Sequence, residues 1–155
     1  KNTMKMAMYE EFLRQASDYA PRIRSDPFLI QRFHILNQEY FDGLMEQPNL
    51  VWGSHSTTKL GSYEYATDTV TISTALTDGG EMLDYVLYHE LLHKKHKFTC
   101  SGGRTTHHSK AFREDEARFH VSDADAKLRR FIAAKRLESN KRSPNTVARP
   151  FWQFW

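Results

Sequence analysis

The fold is decided between Gly80 and Phe98, where the sequence reads GEMLDYVLYHELLHKKHKF. The stretch reads as one long helix whose apolar residues cover more than one face: Met82, Leu83, Val86, Leu87, Leu91 and Leu92. A helix that is apolar on several faces has to be covered by other elements on those faces. The segment therefore predicts a helix buried in the middle of the domain.

Inside this helix lie two histidines and a glutamate, in the order His89-Glu90-Leu91-Leu92-His93. Four residues advance a helix by about 400°, so His89 and His93 share a face and can hold one Zn²⁺ at about 2.0–2.1 Å per nitrogen. Glu90 lies about 100° round, where its carboxylate can take a proton from the water that the metal activates. The alternative is a pair of hydrogen-bonded core histidines with Glu90 as ionic partner, which requires the costly burial of three ionisable groups. The pattern favours a metal hydrolase.

A catalytic zinc usually has three protein ligands and one open position, so a third ligand is needed. His96 lies on the same helical face as His89, but three ligands in a line along one helix cannot surround an ion. The predicted loop Thr99–Thr106 contains two glycines and is long enough to reverse the chain. It is followed by His107 and His108, of which we favour His108 as the third ligand.

Two other groups near the motif have open roles. Glu114 and Glu116 are rival ligands from the following helix, although their charged neighbours favour a solvated face. Tyr85 and Tyr88 flank the motif, and either hydroxyl can be placed near the oxyanion of a tetrahedral intermediate. Their positions on the helix favour packing.

Upstream of the motif, the sequence predicts a second amphipathic helix and three strands. Ser25-Asp26-Pro27 is a helix start, followed by an apolar repeat of Leu29, Phe33, Leu36, Tyr40 and Leu44. Three β-branched and aromatic segments then come in succession and predict a three-stranded meander with a turn at 66–68: Leu50–Trp52, Leu60–Tyr65 and Thr69–Ser73.

Downstream, two more helices are predicted. Ser109–Phe119 reads as a helix, and Ser122 precedes a last helix whose apolar stripe is Ala124, Leu128, Phe131 and Leu137. The fold class is α+β, with one domain over residues 1–143 and an irregular aromatic tail over 144–155. The 155 residues suffice for one core without disulfides.

Composition excludes two classes of protein. At 39% hydrophobic and 26% charged residues the chain is too apolar for a disordered protein, and it has no apolar run of about 18 residues for a membrane span. The single Cys100 cannot form an internal disulfide, and the first ten residues lack the apolar run of a secretory signal. We expect a cytoplasmic protein.

Basic residues concentrate near the C-terminus. Eight Lys and Arg residues stand against Glu138 alone between Lys127 and Arg149, a net charge of +7. The excess is typical of a nucleic-acid contact, for which the candidates are Arg129, Arg130, Lys135 and Arg136, or of a solubilising helix face. The aromatic tail can stack on single-stranded DNA bases or dock on protein. Contact with DNA would bring an association with the nucleoid or nucleus.

The motifs together resemble the SprT-like metallopeptidases, the family that includes the DNA-dependent protease Spartan. The similar residues cover roughly Phe28 to Phe119: Leu36-Asn37, Tyr40-Phe41, Val51-Trp52, Leu60-Gly61-Ser62-Tyr63, Ile72-Ser73, His89-Glu90-Leu91-Leu92-His93 and His108-Ser109-Lys110-Ala111-Phe112. The resemblance implies a zincin-like fold in which His89, His93 and His108 bind zinc and Glu90 is the general base. It also implies protein substrates, among them proteins associated with DNA.

The sequence therefore predicts a zinc metallopeptidase whose sheet lies over the active-site helix, with an edge strand that can pair with an extended peptide substrate. A rival is a nucleic-acid-binding module with a structural zinc. Structural sites normally have four protein ligands and thiolates, which this chain does not offer. A metal hydrolase acting on a non-peptide amide is a third interpretation.

Overall fold

A computed structural model describes residues 3–16, 19–22, 25–101 and 104–142 of the chain. The predicted aromatic tail over 144–155 lies outside the described residues. Within them are helices α1 (Thr3–Ala16), α2 (Pro27–Tyr40), α3 (Glu81–His96), α4 (Lys110–Glu116) and α5 (Ala124–Arg142), and strands β1 (Asn49–Gly53), β2 (Gly61–Glu64), β3 (Thr69–Ser73), β4 (Thr99–Ser101) and β5 (Arg104–Thr106). The α+β fold class is confirmed. None of the described helices is long and apolar enough to cross a membrane.

The predicted meander has the right three strands but the wrong order. The strands lie in the order β1-β3-β2, with β1 parallel and β2 antiparallel to β3. The connection 54–60 crosses the end of β3, where the Ser73 hydroxyl donates to Ser56 O at 2.7 Å and the Ser73 N–H donates to Leu60 O at 2.8 Å. β2 therefore reaches the far side of β3, whose Val70 and Ile72 are fully buried in the central position.

The predicted central helix is confirmed as α3, which contacts β2, β3, α2, α4 and α5. Leu83, Leu87 and Leu91 are at most 1% exposed, and Val86 and Leu92 are also buried. Each such side chain contributes about 1.5–3 kcal/mol through its burial. Because these contacts surround α3, its position relative to the sheet and to α4 is fixed on several sides.

Helix α2 begins as predicted and ends earlier. Asp26 caps it, since its carboxylate accepts hydrogen bonds from the N–H groups of Phe28 and Leu29 at 3.0 and 3.2 Å. The helix ends at Tyr40, so Leu44 lies outside the predicted apolar stripe and is 86% exposed. Gly43 takes a left-handed conformation (φ 71°) and donates to Asn37 O, a geometry that ends the helix.

Three further features differ from the prediction. The loop over 99–106 contains the antiparallel pair β4–β5, which the threonines on either side of its two glycines favour. α4 is shorter than predicted and ends at Glu116. In α5, Ile132 is buried, whereas Leu137 is 63% exposed and does not belong to the apolar stripe.

Candidate metal centre

Three histidines from two segments converge. His89 and His93 lie one turn apart on α3, and His108 lies just before α4. One side-chain nitrogen from each falls within 4.8 Å of the others, an arrangement that could hold a metal ion. The Nε2 atoms of His93 and His108 are 3.2 Å apart.

The short helix α4 holds His108 in place. Ser109 caps the helix, because its hydroxyl accepts a hydrogen bond from the Phe112 N–H at 3.2 Å. Phe112 is fully buried, and the centroid of its ring lies 4.7, 4.8 and 5.2 Å from those of His108, His93 and His89. One aromatic side chain therefore packs against all three imidazoles.

The two other histidines near the motif have different surroundings. His107 is exposed, and its ring packs near Phe98 at 5.9 Å between centroids. His96 Nε2 lies 2.8 Å from Asp115 Oδ2. Neither belongs to the cluster of possible ligands that the described residues contain, which consists of His89, His93 and His108.

Glu90 is a residue of α3 whose side chain lies against β2 of the sheet, and it is only 7% exposed. Burial raises the pKa of its carboxyl to about 7, against the opposing effects of His89, Lys59 and the Tyr63 backbone N–H. Gly61 of β2 makes room for this carboxylate, because a Cβ there would lie 2.6 Å from Glu90 Oε1. Glu90 is therefore confined beside the sheet edge, with a pKa suited to proton transfer near neutral pH.

The three imidazoles differ in their electrostatic environment. Burial, together with the neighbouring His89 and His108, lowers the pKa of His93 to about 4. Burial and His89 also lower the pKa of His108. Burial alone would lower the pKa of His89, but the carboxylates of Glu116 and Glu90 outweigh it and raise that pKa. His93 and His108 are therefore neutral at pH 7, the form that binds metals.

Glu116 lies against His89, with its Oε1 2.6 Å from His89 Nδ1. This position differs from both roles that the sequence suggested, a metal ligand and a solvated charge. Glu114, by contrast, is exposed and pairs with Lys110 at 3.6 Å. The sequence did contain a signal for the position of Glu116. It follows Phe112 by four residues, so the two side chains share one face of α4.

A cleft of about 390 Å³ opens beside His89 and Glu90. Its walls come from four parts of the fold: Lys59 to Gly61 before and in β2, Tyr85 and Val86 of α3, Glu116 of α4, and Asp125 and Leu128 of α5. Tyr85 lines this cleft, whereas Tyr88 is buried in the core and its hydroxyl donates to Asp115 O at 2.6 Å. Of the two tyrosines, Tyr85 alone is in reach of a substrate there.

The four candidate nucleic-acid contacts on α5 have unequal surroundings. Arg136 donates to Thr57 O at 2.6 Å, and Lys135 pairs with Asp78. Arg129 pairs with Asp125 one turn away on α5. Arg130 is exposed. Lys135 and Arg136 thus attach α5 to the rest of the domain.

The chain has limited similarity to individual known proteins. No curated protein matches this chain. Among solved structures, the chain is similar to the metallopeptidase zymogen jannalysin of Methanocaldococcus jannaschii, at 19% identity and a TM-score of 0.47, with 77% of this chain and 96% of jannalysin covered. At that identity and TM-score the likeness does not establish a shared activity.

A family model gives the stronger result. The SprT-like family model matches residues 29–130, which is well over half of the chain. The matched region contains β1 to β5, the three converging histidines and Glu90. The chain therefore belongs to the SprT-like family.

Proposed function

We propose that this protein is a zinc-dependent metallopeptidase that hydrolyses peptide bonds, with His89, His93 and His108 as zinc ligands and Glu90 as general base. The observation that carries the proposal is the convergence of three histidine nitrogens within 4.8 Å, beside a buried carboxylate and an open cleft. Membership of the SprT-like family supports the same activity.

The donor set fits zinc. Three imidazole nitrogens with no thiolate are typical of catalytic zinc sites, which keep a fourth position open. His93 and His108 are neutral and have lone pairs for coordination. When bound, zinc supplies Lewis acidity that polarises a peptide carbonyl and makes water more acidic.

Glu90 supplies the proton transfers. With a pKa near 7 its carboxylate can accept a proton from the attacking water and return it to the leaving amine. The contact with Gly61 limits where the carboxylate can lie, so it does not need to be ordered again in each catalytic cycle. Tyr85, also in the cleft, is a candidate donor to the developing oxyanion.

The sheet edge supplies a way to bind substrate. β2 is an edge strand, and Leu60 and Gly61 line the cleft. An extended peptide can add to such an edge through main-chain hydrogen bonds, which read few side chains. We therefore expect low sequence specificity.

Casein digestion tests the proposal. The purified protein should degrade casein, a zinc chelator should stop the digestion, and added zinc should restore it. Casein that stays intact at every zinc concentration, with zinc shown to be bound, would remove the peptidase interpretation and leave hydrolysis of another amide.

We also propose that α5 contacts DNA, so that the substrates include DNA-associated proteins. The supporting observation is the basic surface of α5, where Lys127, Arg129 and Arg130 are exposed. Lys135 and Arg136 have protein partners and are expected to contribute less to DNA binding.

A further inference from the structure

Glu116 and His89 form the shortest carboxylate–imidazole contact at the candidate metal centre. Glu116 Oε1 lies 2.6 Å from His89 Nδ1. A carboxylate at this distance from an imidazole nitrogen accepts the hydrogen bond that the ring N–H donates. The proton of this bond belongs to His89 Nδ1, which leaves the lone pair of the neutral ring on Nε2.

Three contacts hold Glu116 against His89. The Tyr85 hydroxyl lies 3.4 Å from the same Oε1 and can donate to it. The preceding residue, Asp115, is tied to α3 through its carbonyl, which accepts from the Tyr88 hydroxyl at 2.6 Å. One helical turn earlier, the fully buried Phe112 packs on the histidine rings. The C-terminal part of α4 is thus attached to α3 through Asp115 and to the histidine rings through Phe112. These attachments place the Glu116 carboxylate against His89.

The second ligand candidate on α3, His93, lacks such a partner. His93 Nδ1 is buried and makes no hydrogen bond among the described residues. A ring without a partner on its second nitrogen is free to adopt either neutral tautomer, whereas a carboxylate partner selects one and raises the basicity of the other nitrogen. The two ligand candidates one turn apart are therefore held differently.

We infer that Glu116 is a positioning residue that fixes His89 in the Nδ1–H tautomer and aims its Nε2 at the metal, with Tyr85 holding the carboxylate. The inference rests on the proposed function for the identity of the metal. In this inference Glu116 acts through His89 and not as a ligand, because its carboxylate occupies Nδ1 and leaves Nε2 for the metal. In this role the single hydroxyl proton of Tyr85 is donated to Glu116, so Tyr85 can donate to an oxyanion only after releasing that carboxylate.

Zinc affinity tests this role without depending on turnover. Glu116→Leu removes the acceptor and should weaken zinc binding about 10–100-fold in competition with a chelator. Glu116→Gln keeps an acceptor oxygen but loses the charge, so its loss should be smaller. The matched control is Glu114→Gln on the same helix, which should bind zinc like the wild type because Glu114 is exposed and forms its ion pair with Lys110.

The tautomer itself gives a second readout in the metal-free protein. Nitrogen-15 NMR at mildly alkaline pH should show His89 protonated on Nδ1 in the wild type and in Glu116→Gln, and a mixture of tautomers in Glu116→Leu. Circular dichroism shows whether each variant is folded.

The outcomes separate the two proposals. Wild-type affinity in a folded Glu116→Leu variant, or an unchanged His89 tautomer, would overturn the positioning role and leave the peptidase proposal standing. Complete loss of zinc in both Glu116→Leu and Glu116→Gln would make Glu116 a direct ligand instead. A wild-type protein that binds no zinc would contradict the proposed function, and with it the metal-directed role of Glu116.

Discussion

At the scale of single residues, Glu90 is a buried carboxylate that lines the cleft beside the histidine cluster. It is 7% exposed, and burial raises its pKa to about 7. No described lysine or arginine forms an ion pair with it, so its charge is free to change during a reaction. A buried carboxylate of this kind is common at functional sites.

Glu90→Gln should keep the metal and lose turnover. The amide has nearly the same shape but cannot accept the proton of water, so the rate should fall about 10²–10⁴-fold. Casein digestion measures the rate, and elemental analysis of the same sample measures zinc. A Glu90→Gln variant with wild-type activity would mean that another group activates water.

Gly61→Ala should impair catalysis through Glu90. The added Cβ would lie 2.6 Å from Glu90 Oε1 and 3.0 Å from Val86 Cγ1, so the carboxylate has to shift. A displacement of about 1 Å at a reacting group can cost about 10²-fold in rate, and we expect a loss of this order with zinc content unchanged. Ser62→Ala, the next residue in β2, is the control. Equal activity in both variants would show that the position of Glu90 is not restricted by β2.

At the scale of elements, α4 links the metal centre to the core. The Asp115 carboxylate contacts Lys95 Nζ at 2.6 Å and His96 Nε2 at 2.8 Å, both at the end of α3. Burial alone would raise the pKa of Asp115, but the hydrogen bonds from Lys95 and His96 outweigh it and lower the pKa. The contact between α3 and α4 therefore depends on the ionised carboxylate of Asp115.

Asp115→Asn should destabilise the fold in a pH-dependent way. Because the folded pKa is lowered, the stabilisation is present above the unfolded pKa of about 3.9 and is lost as the pH falls through the folded value. Near pH 7 we expect a loss of about 1 kcal/mol, allowing for partial exposure, or about 2–4 °C in Tm. Thermal melts at neutral and acid pH measure it, with Glu114→Gln as control. A deficit that persists unchanged in acid would contradict the ionic origin.

Helix α5 gives a prediction about DNA. If Arg130 contacts phosphate, Arg130→Gln should weaken binding to single-stranded DNA and reduce the log–log salt slope by about 0.7. Arg136→Gln should instead lower the Tm, because Arg136 donates to Thr57 O. Fluorescence anisotropy over a salt series measures the DNA binding, and thermal melts measure the Tm. Absence of DNA binding by the wild type at low salt would end the proposal and leave the peptidase proposal intact.

At the scale of the whole molecule, the sequence revealed features whose signal is local. The helical spacing of His89 and His93 and the start of α2 at Asp26 depend on residues a few positions apart, and both are present in the structure. The order β1-β3-β2 depends on where the connection 54–60 crosses β3, which no local pattern encodes. The contact between Glu116 and His89 likewise joins residues 27 apart in the chain. The strand order and the contact between Glu116 and His89 both depend on non-local packing, so the sequence alone did not predict them.

The candidate centre is assembled from distant parts of the chain. His89, His93 and Glu90 come from α3, His108 from the start of α4, and the cleft walls from the β2 edge and α5. Helix α5 belongs to this assembly, since Asp125 and Leu128 line one side of the cleft, and the domain bounds of 1–143 stay a prediction. The assignment of His89, His93 and His108 as zinc ligands depends on this assembly.

Zinc content of three purified proteins tests that assignment most directly. The wild type and His96→Ala should each contain one zinc per chain, because His96 binds Asp115 and lies outside the histidine cluster. His108→Ala should lose most of its zinc, because only two imidazoles remain. A His108→Ala variant that keeps its zinc while His96→Ala loses it would contradict the account.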